Sequence, residues 1–363
     1  MNLPKHMPAL DGLRGVAILL VLLLHVSRAW TTPWSDAIAG AAEHGVILFF
    51  VVSAFTLTVR AVHDRNGLRS YALRRVARVG PGYWIAGLVY TLAFGVGPRM
   101  WASDGIAPAD IAIAAIFGSA WQGGAALAVV PGGWSVSCEV AFYIALPFII
   151  RIVGGKIWRA AALLCLAFAV AQLRARQAIL ADTYDFAFFV NPVQQAPVFL
   201  MGVTAALAAM RVRLPRLPGA PVAVLALATI IVPLLKIPGW YLQHHFAFAA
   251  LAAVTVALAA ANARGLLASR VMRRIGEVSY SMYLVHFAFT AAGFRLAGWL
   301  VPTSAGTAML LQFIIVAAAS FAVAQVTYRF IEQPPIRWAA KRFLASPRLR
   351  APATASPYEQ RVV

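Results

Sequence analysis

The sequence predicts an all-α protein: a polytopic transmembrane helix bundle of about ten spans, with N- and C-termini cytoplasmic. Three observations predict it. The 363 residues are 61% hydrophobic and only 12% charged, whereas soluble domains are about 45–50% apolar and about 25% charged. Polar surface is therefore too scarce to cover a water-soluble domain of this size. Apolar windows of bilayer-spanning length recur along the whole chain. Finally, the 31 Lys and Arg outnumber the 12 Asp and Glu, for a formal charge of +19, and the bases sit mostly between the apolar runs, as loop charges do in membrane proteins. That placement argues against reading the basic excess as a nucleic-acid footprint. Two cysteines, Cys138 and Cys165, rule out a disulfide scaffold, and the apolar content rules out a long disordered chain.

Taken in order, the spans fall at about 10–28, 44–62, 80–97, 134–152 and 157–173, then 192–210, 220–237, 244–262, 277–299 and 306–330. The stretch 106–120 is apolar but short and carries Asp110 near its start. It reads as a re-entrant or interfacial piece, with an eleventh span as the alternative. With the N-terminus inside, 23 of the 31 bases fall in cytoplasmic segments. They include Arg60, Arg69, Arg74, Arg75 and Arg78 before the third span and Arg270, Arg273 and Arg274 before the ninth. The opposite side holds six bases, among them Arg28 and Arg295, together with Asp36, Glu43, Asp104, Asp110, Asp182 and Asp185. This alternation favours an even number of spans; an eleventh would invert every later loop. The first apolar stretch has no small-residue cleavage site after it, so no cleavable signal peptide is expected. No internal repeat stands out. After the last span, apolar Ile336, Trp338, Ala339 and Phe343 alternate with Arg337, Lys341 and Arg342, a pattern suited to a short amphipathic helix on the inner leaflet. The final 20 or so residues are expected to be disordered.

Ionisable residues within spans are costly and mark functional positions by default. Arg14 and His25 are eleven residues apart, which places them on one helix face and about 16 Å apart along the axis. Asp11 is placed to pair with Arg14 at i, i+3. A fixed cation near the rim and an imidazole deeper in would suit a long-armed substrate with a phosphate head; the alternative is that Arg14 snorkels and His25 is a satisfied core histidine. In Trp134–Tyr143, Ser135, Glu139, Phe142 and Tyr143 share a face that is poor against lipid and good as a cavity wall; the alternative is a Glu139 paired with an arginine for structure alone. Arg74, Arg75 and Arg78 form three guanidinium forks at a helix entrance, suited to phosphates but explicable as topology determinants alone. Ser279, Tyr283 and His286 recur along one face of the ninth span, as cavity lining or as glue between helices. Glu43 and His44 lack further spaced ligands, so no metal is expected. Cys138 beside Glu139 reads as an inert buried thiol rather than an acyl carrier.

These segments in order resemble the membrane acyltransferase-3 family, which includes O-antigen and exopolysaccharide O-acetyltransferases, Nod-factor acetyltransferases and macrolide acyltransferases. Pro8–Gly15 (PALDGLRG) followed by His25 resembles its opening LDGLRG and its Arg-x10-His signature. Gly45–Phe55 is similar to GVxxFFxLSGF, the Arg74–Trp84 run to LRRxxRIxPxYW, and Trp134–Tyr143 to WSLSxExxFY. Phe199–Gly202, Ile275–His286 and Glu332–Pro334 match later elements, so that the resemblance covers about residues 8–335. Two departures stand out: Ile47 replaces a frequent acid, and Ala54 the usual glycine, still small enough for close helix approach. Residues 1–335 are accordingly expected to form a transmembrane acyltransferase domain and 336–363 a basic cytoplasmic tail. No room is expected for the additional extracytoplasmic hydrolase-like domain of longer members.

The resemblance implies transfer of an acyl group, usually acetyl from acetyl-CoA, to a hydroxyl of a sugar-containing acceptor in the bacterial inner membrane. It implies no metal. On this reading Arg74, Arg75 and Arg78 hold the acyl-CoA phosphates, Arg14 fixes the head end, and His25 acts as general base. Glu139 orients the imidazole, and Asp11, Ser135, Tyr143, Ser279, Tyr283 and His286 line the substrate path. Direct transfer is preferred over an acyl-histidine intermediate. A transporter or flippase of glycan or anionic cargo, with His25 and Glu139 as a proton relay, is the alternative.

Overall fold

A computed structural model describes residues 3, 7–64, 67–98, 102–122, 129–217, 219–232, 243–262 and 264–344. Within these residues the regular structure is all helical, with no strand. The helices are α1 (Pro8–Ser27), α2 (Ser35–Ala42), α3 (Gly45–His63), α4 (Gly67–Phe94), α5 (Pro108–Ala115), α6 (Gly133–Val153), α7 (Ile157–Leu180) and α8 (Phe186–Val190). They continue with α9 (Pro192–Ala209), α10 (Ala220–Ile231), α11 (Gln243–Ala261), α12 (Arg270–Glu277), α13 (Ser279–Val285), α14 (Phe287–Leu300), α15 (Ala305–Thr327) and α16 (Gln333–Leu344). A π-helical turn, Tyr328–Glu332, joins the last two.

Starts are marked by residues whose chemistry suits a helix N-terminus. Proline, whose missing N–H costs nothing there, opens α1, α5, α9 and α10. Side-chain oxygens of Asp185, Asn191, Ser269 and Ser304 accept from the first free backbone N–H groups of α8, α9, α12 and α15. Within the helices, hydroxyls return their protons to the preceding turn, as Thr204 does to the Leu200 carbonyl and Thr255 to the Leu251 carbonyl. Such self-satisfaction is what an environment without water demands.

Seven helical stretches among the described residues are long and apolar enough to cross a membrane: Pro8–Ser27, Ser35–His63, Gly133–Val153, Ile157–Leu180, Phe186–Ala209, His244–Ala261 and Ala305–Arg342. They coincide with seven of the ten expected spans, and the chain is a multi-pass membrane protein. The other three expected spans are also helical, each with a local peculiarity. α4 is 28 residues long but carries Arg69, Arg74, Arg75 and Arg78 in its first half. α10 reaches Ile231, and positions 233–237 of the expected seventh span lie outside the described residues. The ninth is built in two pieces, α13 and α14, that meet at His286. The 106–120 segment forms only the eight-residue α5 and a 3-10 turn at Ser119–Trp121. Eight helical residues rise about 12 Å, far less than a hydrocarbon core of about 30 Å, so α5 by itself does not span. The amphipathic pattern after the last span folds as α16; residues 345–363, the expected disordered end, lie outside the described residues.

α1 is the axis of the bundle. Leu10, Leu13, Ala17, Ile18, Val21 and Leu22 are fully buried and recur at i, i+3/i+4 and i+7/i+8, one wide face of a helix. α1 packs against α3, α12, α11 and α15. Its approach to α12 and to the 3-10 turn Leu266–Ala268 before it is so close that only glycines fit. A Cβ on Gly12 would stand 1.8 Å from the Leu267 carbonyl oxygen, and one on Gly276 would stand 1.7 Å from the Asp11 carbonyl oxygen. The second tight crossing is α3 on α9, where Gly202 faces Ala54 and the Val51 carbonyl. The alanine at 54 thus keeps the close approach. α7, by contrast, lies at the periphery and turns most of its surface outward.

Candidate active site

One cavity of about 420 Å³ opens among α1, α3, α4, α6 and the α12–α13 region, with Tyr328, Ile336 and Ala340 at its margin. Ten of the twelve residues singled out from the sequence line it: Asp11, Arg14, Arg74, Arg75, Arg78, Ser135, Glu139, Tyr143, Ser279 and Tyr283. The volume is that of a small-molecule site. His25 and His286 stand apart from this lining and pack against each other.

The tight α1–α12 crossing brings Arg14 to the wall of the cavity. Its guanidinium donates to Asp11 (2.8 Å) and to Thr56 of α3 (3.3 Å). Thr56 in turn donates to the Val52 carbonyl (2.7 Å). On α6, Glu139 accepts a 2.5 Å hydrogen bond from Ser53 of α3. Tyr143, one turn further on, has its carbonyl bonded by Tyr71 of α4 (3.0 Å). The Arg75 guanidinium lies 5.9 Å from the Tyr71 ring centre and 5.7 Å from that of Tyr143, two π faces that hold a cation without neutralising it.

The three arginines of α4 therefore meet different fates. Arg74 is bonded to Asp64 and Ser70. Arg78 forms a 3.0 Å ion pair with Glu332, which is buried and also accepts from Ser281; its guanidinium lies 5.8 Å from the Tyr280 ring centre. Arg75 has no carboxylate partner among the described residues, and its buried Nε has no hydrogen-bond partner among them. Of the three forks expected to grip phosphate, two are thus committed to carboxylates and Arg75 is left over. The physical reason is desolvation: a guanidinium drawn into a bundle is held by an anion or by π faces.

The sequence reading places Glu139 against His25, but the structure gives each a different neighbour. Glu139 is bonded to Ser53, whereas the His25 ring lies 5.3 Å from His286 and 4.4 Å from Phe287. His286 is fully buried, and its Nδ1 donates to the Tyr283 carbonyl (2.7 Å). That bond fixes the tautomer, because a carbonyl only accepts. In the neutral ring Nε2 is then a bare lone pair, and it has no partner among the described residues. Tyr283 links the two regions. Its hydroxyl lies 2.8 Å from Ser135 and donates to the Gly132 carbonyl (2.8 Å), while its ring centre is 5.7 Å from that of His286. Cys138, the alternative acyl carrier, is buried and donates to the Val190 carbonyl (3.1 Å).

Several polar residues of this site, Thr56 among them, do not stand out in the sequence as site residues. Arg60 lines the cavity from the last turn of α3; it reads as an ordinary loop base, although it continues the Ser53, Thr56, Arg60 face. Ser53 supplies the bond to Glu139. Glu332 and Ser281 fix Arg78, and nothing local marks a carboxylate 254 residues away as its partner.

The chain matches an acyltransferase domain model over residues 7–329. It is 27% identical to the acyltransferase MdmB of Streptomyces mycarofaciens, across 93% of each chain. Proteins of Staphylococcus aureus strains MSSA476 and MRSA252 with provisional O-acetyltransferase names are 29% identical over 162 residues. That match covers 40% of this chain and only 25% of theirs. No solved structure matches. With a helical membrane bundle, the motif residues gathered on one cavity and the family model running nearly end to end, the chain belongs to the membrane acyltransferase-3 family and is an O-acyltransferase.

Proposed function

We propose that this enzyme moves an acyl group, acetyl by preference, from acyl-CoA to a hydroxyl of a glycan or glycosylated small molecule at the bacterial cytoplasmic membrane. The observation that carries the proposal is the run of side chains from the arginine-lined cavity through Tyr283 to the two histidines. Arg75 and Arg60, the less committed cations, are assigned the donor phosphates by charge-assisted bonds. Arg14, held by Asp11 and Thr56, flanks them. The acyl arm runs past Ser135 and Tyr283 toward His25. There the acceptor hydroxyl gives its proton to the imidazole as its oxygen attacks the thioester carbonyl. The C–O ester bond forms and the C–S bond breaks. The proton then passes from His25 to the departing CoA thiolate, so the imidazole ends neutral and no acyl-enzyme is required. His286 is assigned to positioning, as a lone-pair acceptor beside His25.

Reconstitution in proteoliposomes tests this reading. Release of CoA thiol that depends on both acetyl-CoA and an acceptor glycan supports it. Release that ignores the acceptor, or movement of labelled glycan across the bilayer without acyl-CoA, would overturn it in favour of a hydrolase or a carrier. Label retained on His25 after denaturation would replace direct transfer by an acyl-histidine route.

A further inference from the structure

A second concavity, of about 540 Å³, shares Tyr328 with the first but has its own walls. It is lined by Arg274 of α12, Gln325 at the end of α15, Arg329 and Phe330 of the π turn, and Arg337 of α16. The π turn has two unlike faces: Glu332 is 2% exposed and holds Arg78 at the arginine-lined cavity, whereas Phe330 is 67% exposed. Extra-residue turns of this kind are rare and recur at functional positions.

The chemistry of this cleft is one-sided. Of its three guanidiniums only that of Arg274 pairs with a carboxylate among the described residues, Glu277 at 3.0 Å. Arg337 donates to the neutral amide of Gln333 (2.6 Å), and Arg329 lies 5.6 Å from the Phe330 ring centre. Neither has a carboxylate partner among the described residues. The Gln325 amide oxygen is taken by Arg274, while its Nε2, a buried donor, has no partner among the described residues. The cleft therefore presents cations and N–H donors beside exposed apolar groups, Phe330 and Val326. Along α16, Trp338 is exposed with Arg342 at 5.4 Å from its ring centre, the aromatic-and-basic signature of a bilayer interface.

We infer that this cleft binds the headgroup of an anionic phospholipid, its phosphate on Arg329 and Arg337 and its acyl chains along Phe330 and Val326. A soluble anion would use the charges but not the apolar rim, and a zwitterionic lipid would leave the positive excess unmatched. The bound lipid braces the turn whose inner face carries Glu332 to Arg78.

The test is native mass spectrometry of the full-length detergent-solubilised protein, titrated with phosphatidylglycerol and phosphatidylcholine. Wild type should retain phosphatidylglycerol over phosphatidylcholine by roughly tenfold. Arg329→Gln/Arg337→Gln should abolish that preference, and Arg213→Gln/Arg216→Gln, which removes two bases elsewhere, should leave it intact. An unchanged preference in the first variant, or equal loss in the second, overturns the inference. So does displacement of phosphatidylglycerol from wild type by inorganic phosphate or by acyl-CoA. Should the neutral variant not fold, the wild-type salt dependence decides. A preference that falls with ionic strength supports the site, and one that does not overturns it.

Discussion

The arginine-lined cavity and the histidine pair are both polar islands in an apolar bundle, yet they are stabilised in opposite ways. In the cavity most charges are matched. Arg14 meets Asp11, Arg74 meets Asp64, and Arg78 meets Glu332. Around His25 and His286 there is packing instead: two imidazoles and the Phe287 ring lie within about 5 Å of one another, and one ring nitrogen has no partner among the described residues. An ion in low dielectric must be paired, so its residues are bound to structural duty. A neutral imidazole can be buried with a lone pair unspent, which is what proton transfer needs. On the proposed mechanism the first region binds and supports, and the second carries the chemistry.

The sharpest way to break this division is His25→Ala. With insertion and folding verified, transfer should fall by about 10²–10⁴-fold, read as acceptor-dependent CoA release; near wild-type turnover would place the base elsewhere. Next in size is Arg75→Ala. Loss of one charge-assisted contact worth about 1.5–3 kcal/mol should raise the KM for acyl-CoA by roughly 10–100-fold with little change in kcat. Arg74→Ala, whose fork is already bonded to Asp64 and Ser70, should move KM far less. Equal effects would erase the distinction drawn between the two arginines. His286→Phe keeps a ring but removes the lone pair. It should lower kcat by roughly tenfold and leave KM for acyl-CoA unchanged, as expected for loss of one hydrogen bond made at the reacting end. The smallest effect on rate and the clearest on stability should come from Glu332→Gln. It strands Arg78 and should cost about 1–3 kcal/mol, seen as a lower Tm. Arg78→Gln added to it should recover part of the loss. Full recovery in the double variant would show that the pair itself contributes little, and no recovery would show that the stranded Arg78 charge is not the cause of the loss.

Much of the architecture is legible in the sequence because it is local. Hydropathy and length identify the helices, since each helix satisfies its own backbone within its own segment. The 3.6-residue period shows which side chains share a face, and that suffices to place Asp11 with Arg14 and Ser135 with Glu139 and Tyr143. Glycines 12 and 15 are visible as a motif, although the reason for them, a backbone carbonyl of another helix at Cβ distance, is not. The two-piece ninth span is not visible either, because His286 interrupts a run whose hydropathy is continuous. Arg60 does not stand out, because a base at a helix end has the same local signature whether it faces water or a cavity.

By itself, then, the sequence determined a helical membrane bundle and the set of polar residues that its helices carry inward, both consequences of segment-local hydrogen bonding and periodicity. The tertiary structure decided the partnerships. Glu332 closes on Arg78 across 254 positions, Glu139 is bonded to Ser53 and His25 meets His286. It also decided that Arg75, unlike Arg74 and Arg78, has no carboxylate partner among the described residues. Pairing energy depends on separation in space and on the surrounding dielectric, and neither quantity is encoded in distance along the chain.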